Sequence, residues 1–443
     1  MNVISLCDGM SCGQIALVEL NIPIDTYYAS EIYDKAIQVT QENFPNTIQC
    51  GDLLKIYQNE TGGNNLNIIY QSNNGQIIHG DNIEVMKTFA DNSIDSCVSD
   101  FPYDLSFMSR KWDTTGNFYE WCKTRAIELY RVMKPGGYVA IFGHPKTNHR
   151  MKCAFEDCGF KIVEEIDWVY LSGFPKNQDI GKLFDKANDK EFAEKYKNFK
   201  TAGLKPAHEP ITIFQKPLDG TYIENIRKYG CGGMNIDACR VGVETIKTNG
   251  KRNGTGNSLE WSKYKSPENF IGEIHIGRFP PNMIFDEYMA QELDNQTGIR
   301  TSGTNCVRTK EGTFFEHGGL GKAGDVQITY GDTGGGSRMF PIIKYCTKVS
   351  PKERKLPNGE RNLHVTLKPK ELIKWLIKLV TPKDGTTIDI TAGSCTHAVA
   401  VEELNRDKGY NLKYIDIELM NTETEPYCDV GKMRVESIVK NMS

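Results

Sequence analysis

Four groups of residues in this chain have the types and spacing to do chemistry. Asp100-Phe101-Pro102-Tyr103 closes an apolar run, Ile94 to Ser99. A carboxylate, the next backbone carbonyl and an aromatic ring there make an acceptor pair beside a stacking face. Such a pair can take both N–H bonds of an amine whose lone pair is conjugated into a ring. That draws the nitrogen towards tetrahedral and frees the lone pair for attack, while the ring stacks on the planar group. In isolation the same tetrapeptide also reads as a turn, since Asp ahead of Pro favours one. The second group is Asp389-Ile-Thr-Ala-Gly-Ser-Cys-Thr396. An acid ends a strand, small residues turn, and a helix begins, so backbone amides can approach a ligand at the helix N-terminus. The third is Glu418, at the end of a later strand, where an acid accepts from ribose hydroxyls in nucleoside-binding α/β folds. The second and third together also fit an ordinary strand–helix–strand crossover. The fourth, His364-Val-Thr-Leu-Lys-Pro369, is by itself a loop running into a Pro-initiated helix.

The elements that must position these groups alternate. Residues 1–58 predict a small α/β unit with strands over 3–6 and 26–30 and helices over 14–20 and 36–43. Residues 59–75, rich in Asn and Gly, read as a linker. A second α/β unit covers 76–175. Strands at 76–79, 94–100, 138–142 and 161–170 frame helices at 84–89, 118–133 and 147–158, with Lys134-Pro135-Gly136-Gly137 as the breaker after the long helix. Residues 176–345 lose the rhythm and read as an inserted module with little periodic core. Regular structure resumes in 346–443, with helices at 371–380 and 397–405 and strands at 387–389 and 412–417. Helices separated by strands in this order imply a mostly parallel sheet.

Bulk properties narrow the class. The 443 residues suffice for two or three domains. A net charge of −4 argues against a general polyanion coat but permits a local basic groove. Thirteen cysteines lie scattered without a CxxC pair, so no zinc site is readable and no metal is expected. Without an export signal or a run near the ~20 apolar residues of a membrane helix, a reducing cytoplasm and no membrane partner are expected.

Taken in order, the motifs resemble one family. Gly80-Asp81, the DxPY at 100–103, the KPGG at 134–137, a long insertion, HxTxKP at 364–369, then Asp389 to Thr396 and Glu418, follow the arrangement of the permuted (β-class) DNA amino-methyltransferases. The segments at 173–182, 204–211, 228–242, 277–284 and 334–340 are similar to stretches of phage and prophage site-specific DNA methyltransferases. The resemblance covers about residues 76–435. It implies a Rossmann-like class I methyltransferase sheet with an inserted target-recognition region, and S-adenosylmethionine as cofactor. Double-stranded DNA is the implied partner, bound by a monomer or a dimer. The implied reaction moves a methyl group to an exocyclic amine of a flipped base, adenine-N6 ahead of cytosine-N4, because members whose tetrapeptide begins with Asp mostly act on adenine. The alternative is a catalytically silent DNA-binding homologue. By the same resemblance Asp389, Ala392, Gly393, Ser394 and Thr396 surround the methionine part of the cofactor. Glu418 holds the ribose, Asp81 meets the adenine end, and His364, Thr366 and Lys368 frame the cofactor and the catalytic loop. Asp100 and the Phe101 carbonyl bind the amine, Pro102 belongs to the loop, and Tyr103 stacks on the base.

The chain departs from the family pattern at Phe101, Val365, Thr391, Cys395 and Asp416. The Phe101 side chain is expected beside the target base, where it crowds the nucleotide or stacks on it. Cys395 in place of glycine implies a position without positive φ. DNA contacts are expected within 175–345: Lys247, Lys251, Arg252, Lys263 and Lys265 along phosphates, and Arg278, Trp261, Tyr264 and Phe279 in a groove or in the gap of the flipped base. Each also fits a solvated loop. His208 is expected to be structural. Residues 1–58 resemble the opening of a DNA cytosine-5 methyltransferase, with Glu31 as ribose acid and Asp52 nearer the adenine. No Pro-Cys nucleophile follows, so Cys7 and Cys12 are not catalytic candidates, and a truncated half-domain results.

Overall fold

The computed structural model describes residues 2–6, 12–20, 23, 26–30, 34–49, 66–105, 111–175, 177–247, 274–301, 306–307, 326–327, 332–343 and 354–440. The chain divides into two units, Met1–Asn67 and Ile68–Ser443. The smaller holds a three-stranded parallel sheet of β1 (Asn2–Leu6), β2 (Thr26–Ser30) and β3 (Ile48–Gln49), with helices Cys12–Glu19 and Asp34–Asn43. The expected strands and helices of this segment are present, while the turn expected after the first strand lies outside the described residues. Glu31 and Asp52 lie outside the described residues, as does Cys7.

The larger unit is an α/β fold built on one ten-stranded sheet. Its strands in chain order begin with β4 (Asn67–Gln71), β5 (Gly75–His79), β6 (Ile94–Asp100), β7 (Met133–Phe142), β8 (Lys161–Val169) and β9 (His208–Gln215). A hairpin of β10 (Val241–Lys247) and β11 (Ile274–Arg278) stands apart. Then come β12 (Met283–Asp286), the short β13 (Arg300–Thr301), β14 (Cys306–Val307), β15 (Val326–Gln327) and β16 (Thr333–Gly334), and β17 (Ile342–Ile343), β18 (Thr386–Asp389) and β19 (Lys413–Glu418). The sheet runs β17-β12-β8-β9-β7-β6-β18-β19-β5-β4. β9 is antiparallel to both neighbours, and β6, β18, β19 and β5 lie side by side and parallel. Six of the seven residues of β6 are buried, as a strand covered on both faces requires.

Local chemistry explains the flanking helices. Phe118–Val132 buries Phe118, Cys122, Ala126, Leu129 and Val132, a stripe at helical spacing, and Asn117 caps its start by accepting from the Glu120 amide at 3.3 Å. Lys370–Val380 buries seven of its eleven residues against the sheet. Among the described residues no helix is long and apolar enough to cross a membrane.

Two expectations about organisation change. Residues 67–71, within the expected linker, form the edge strand β4 and turn through 72–74 into β5. Asn and Gly there mark a tight turn rather than a flexible tether, with Ser72 Oγ accepting from the Gly75 amide at 3.2 Å. The inserted region is also not separate from the core. Its segment 208–215 is β9, buried between β7 and β8, and β12 and β17 extend the same sheet. The KPGG segment ends the long helix as expected, yet it lies inside β7, where Gly136 takes φ +80° and the register with β6 slips.

Candidate active site

The four motif groups meet at one edge of the sheet. Parallel pairing sets Cys97 opposite Ile388, Asp389 opposite Asp416, and Glu418 opposite His79. The carboxyl ends of β6, β18, β19 and β5 therefore carry Asp100, Asp389, Glu418 and Asp81 along one rim, although some 340 residues of chain separate Asp81 from Glu418. Ligands of open α/β sheets bind outside such strand ends. A single cavity of about 570 Å³ opens there, lined by the DxPY segment on one side and by 389–396 and Glu418 on the other.

On the DxPY side, Asp100 is held from two directions. Its Oδ2 accepts from Lys368 Nζ at 2.6 Å and its Oδ1 from the Tyr103 hydroxyl at 3.1 Å. Glu209, on β9, completes the cluster: its Oε2 lies 3.1 Å from the Tyr103 hydroxyl and 3.5 Å from Lys368 Nζ, and its Oε1 accepts from Tyr170 at 3.3 Å. Burial pushes the Asp100 carboxyl above the usual range, partly offset by the Lys368 charge. Burial opposes the Lys368 ammonium too, but the Asp100 and Glu209 carboxylates outweigh it and hold its pKa above that of an ordinary lysine. The loop after Tyr103 is fixed by Asp113, whose carboxylate accepts from the amides of Tyr103, Asp104 and Leu105 at 2.7, 3.0 and 3.2 Å.

The Phe101 ring, expected to be open to a target base, is buried, although the residue lines the cavity. It is 2% exposed and turned into the core, edge-on to Trp121 at 5.2 Å and tilted on Phe155 at 6.1 Å. The reason is the helix Phe118–Val132, which brings Trp121 across the strand end and offers an apolar slot.

On the other side the turn 389–396 is clamped by residues far away in sequence. The Gly393 amide donates to Glu418 Oε2 at 2.6 Å, and Met420 donates to Oε1 at 2.7 Å. Arg434, from the last helix, donates to the Ser394 carbonyl at 2.5 Å and to Thr396 Oγ1 at 3.1 Å. Asn362 donates to Ser394 Oγ at 2.9 Å, and Arg354 donates to the His364 carbonyl at 2.8 Å. Gly393 has φ +53°, and a Cβ there would sit 2.5 Å from the His364 ring. His364 packs edge-on to Tyr427, and its Nδ1 is buried without a partner among the described residues. Burial, with the Lys368, Arg434 and Arg354 charges, lowers its pKa to about 3, so the ring is neutral. Burial raises Glu418 to about 7; it raises Asp389 to about 7 as well, helped by the charge of Asp416.

The departures from the family pattern find partners. Thr391 Oγ1 donates to the Asp100 carbonyl at 3.0 Å and lies 2.8 Å from Ser99 Oγ, which donates to Asp389 at 2.6 Å. This ties the two loops together. Asp416 accepts from His397 Nδ1 at 2.6 Å, both side chains being essentially unexposed, and also from the Ala398 amide at 3.1 Å. Cys395 reverses its expectation. It has φ +57° at the head of the helix Thr396–Lys408, and its side chain fills the space above Gly431, whose own Cβ would meet the sulfur at 2.4 Å.

Other expected residues scatter. Asp81 lines the cavity but also caps the next helix, accepting from the Ile83 amide at 2.9 Å, with Arg125 at 3.9 Å. Thr366, Ala392 and Pro102 line the cavity. Arg278 is not presented to a phosphate: it is 5% exposed and ion-paired with Asp332, which also pairs with Arg338 at 2.7 Å. Strand pairing in β11 draws its side chain inward. Lys247 lies in β10, while Lys251, Arg252, Trp261, Lys263, Tyr264 and Lys265 fall outside the described residues. Phe279 is exposed, and His208 is exposed 3.8 Å from Asp167. Sequence reasoning weighed His208 and passed over its neighbour Glu209. Strand alternation was the available signal, since adjacent residues of β9 face opposite ways. For Arg434, Arg354 and Asn362 no sequence signal exists.

Comparison with known proteins agrees with this geometry. The chain is 25% identical over 200 residues to the type II methyltransferase M.HindIII of Haemophilus influenzae, covering 36% of this chain and 64% of that protein. To the type II methyltransferase M.HpaI of Haemophilus parainfluenzae it is 27% identical over 195 residues, covering 42% of this chain and 49% of the relative. The chain thus spans less than two thirds of the length of these curated relatives. The solved PvuII DNA methyltransferase, described as cytosine-N4-specific, overlays with a TM-score of 0.43 at 14% identity, covering 85% of this chain and 94% of that one. The family model described as DNA methylase, of the N6/N4 type, matches residues 94–427. A match across that much of the chain, carrying both rims of the cavity, makes this protein a member of the N6/N4 DNA methylase family.

Proposed function

We propose that the protein transfers a methyl group from S-adenosylmethionine to an exocyclic amine of a base flipped out of double-stranded DNA, adenine-N6 in the first place. The observation that carries this is the single cavity shared by the DxPY segment and the turn 389–396 with Glu418. The cofactor fits the residues present. The glycine turn closes against His364 with no room for a Cβ, and Glu418 stands at the end of β19 with carboxylate lone pairs left for hydroxyl donors. When bound, the cofactor supplies a methyl group on a positively charged sulfur. Glu418 and the amides of the turn hold it. Asp100 and the Phe101 carbonyl accept from the amine and raise the density on its nitrogen, and Tyr103 stacks on the base. Lys368 favours the ionised form of Asp100 against its burial. Asp100 Oδ1 is then the nearest acceptor for the proton the amine sheds. Positioning and polarisation supply the catalysis.

The preference for adenine rests on the Asp that opens the tetrapeptide. Support for turnover, against a silent DNA-binding homologue, comes from the partners found by Thr391, Asp416 and Cys395: the departures are mutually fitted. The test is incubation with tritiated cofactor and unmethylated DNA, followed by nucleoside analysis. Label in N6-methyladenine, falling by roughly 10²–10³ in Asp100→Ala, supports the reading. Label in N4-methylcytosine overturns the adenine assignment. No label, with salt-sensitive DNA binding intact, supports the silent binder.

A further inference from the structure

Resting on that reading, we infer that Glu209 is a positioning residue that takes the Tyr103 hydroxyl away from Asp100 so that the incoming amine can be bound. In the free protein both oxygens of Asp100 are engaged, Oδ2 by Lys368 at 2.6 Å and Oδ1 by the Tyr103 hydroxyl at 3.1 Å. The hydroxyl proton competes with an amine for Oδ1, whose acceptance it weakens while it points there. Glu209 Oε2 lies at the same 3.1 Å from that hydroxyl on another side. A phenol has one proton and can serve one of these acceptors at a time. Rotation of that proton from Asp100 to Glu209 releases Oδ1 without moving the Tyr103 ring off its stacking position.

The surroundings fix Glu209 for this task. Tyr170 donates to Oε1 at 3.3 Å, and Lys368 stands 3.5 Å from Oε2, so the carboxylate is oriented. The Lys368 ammonium also lies 5.3 Å from the centre of the Tyr103 ring, which holds that ring against the cluster. Two carboxyl groups share the one ammonium of this cluster. Their oxygens favour an amine which becomes cationic as it is methylated. Neither acceptor is interchangeable with the other: Asp100 ends β6 at the strand that leads into the catalytic loop, whereas Glu209 comes from β9, two strands away.

The test is a double-mutant cycle of Glu209→Gln and Tyr103→Phe, read as single-turnover methyl transfer to genomic DNA free of base methylation. Glu209→Gln alone is expected to slow transfer by roughly 10- to 100-fold, the value of a hydrogen bond to a charged group. Tyr103→Phe keeps the stacking ring and removes the competing hydroxyl, so in that background Glu209→Gln is expected to cost less than about threefold. Cofactor affinity by calorimetry is expected to be the same in all four proteins. An independent readout needs no cofactor: the ¹⁹F resonance of 3-fluorotyrosine placed at position 103 is expected to shift on Glu209→Gln in the free protein. Equal losses in both backgrounds, an unmoved resonance, or a Tyr103→Phe protein without measurable transfer overturns the inference and leaves the amino-methyltransferase reading standing. Wild-type protein that transfers no methyl to DNA overturns both.

Discussion

Replacing Phe101 by Ala separates two roles for the residue that departs most visibly from the family pattern. The ring is 2% exposed and lies against Trp121 and Phe155. Truncating a buried phenylalanine costs about 3–5 kcal/mol, part lost transfer energy and part cavity. With an unfolding entropy of about 2.1 cal/mol/K per residue, a unit the size of Ile68–Ser443 turns that into a fall in Tm of about 4–6 °C if it unfolds as one body. The chemistry is expected to suffer less. On the proposed function the amine is bound by a backbone carbonyl, which alanine retains, so transfer by the folded fraction should fall by less than about tenfold. Differential scanning calorimetry and single-turnover transfer at 25 °C are the two assays. The reasoning is refuted if Tm stays within about 1 °C of wild type while transfer collapses, because a ring that costs nothing to remove is not core.

Three further outcomes follow from the geometry. Gly393→Ala puts a methyl group 2.5 Å from His364 at a residue with φ +53°, so cofactor affinity should drop by about tenfold or more, with a backbone strain of about 1–2 kcal/mol; unchanged calorimetric binding would count against the cradle. Glu418 titrates at about 7 against an ordinary 4.5, so the folded state without cofactor holds a proton that the unfolded state has released. Its contribution to stability is therefore full below pH 4.5 and is lost as pH rises through 7. Hydroxyl donors favour the ionised form, so cofactor binding should tighten with rising pH, approaching about tenfold per unit well below pH 7 and levelling off above it, with proton release seen as buffer-dependent binding heat. Binding that is flat from pH 5.5 to 8 would refute this (a range of roughly one unit or more either side of the carboxyl). Asp416→Ala strands the buried His397 and should cost about 3–5 kcal/mol in denaturant unfolding; the double replacement of His397 and Asp416 by Ala should cost clearly less than the two single losses added together.

Much of the fold was legible because it is local. Strand–turn–helix spacing at 386–408 and the helical stripe at 118–132 can be read from residue types alone, and the observed elements agree with expectation to within a few residues. The order of Asp81, Asp100, Asp389 and Glu418 was enough to expect one shared site. Parallel pairing of the strands that end in them then makes their convergence a matter of topology.

Other features depended on contacts between distant segments. The side of the strand end on which the Phe101 ring lies is set by Trp121. The burial of Arg278 is set by Asp332, the positive φ of Cys395 is accommodated by the notch at Gly431, and Glu209 enters the site because β9 inserts next to β7. Residue types determined that the DxPY loop and the small-residue turn after Asp389 exist, because each needs only a few neighbouring residues in a fixed order. Tertiary structure decided which carboxylates share the lysine and where the tyrosine proton can go, because those depend on distances of 2.6 to 3.5 Å between groups more than 100 residues apart.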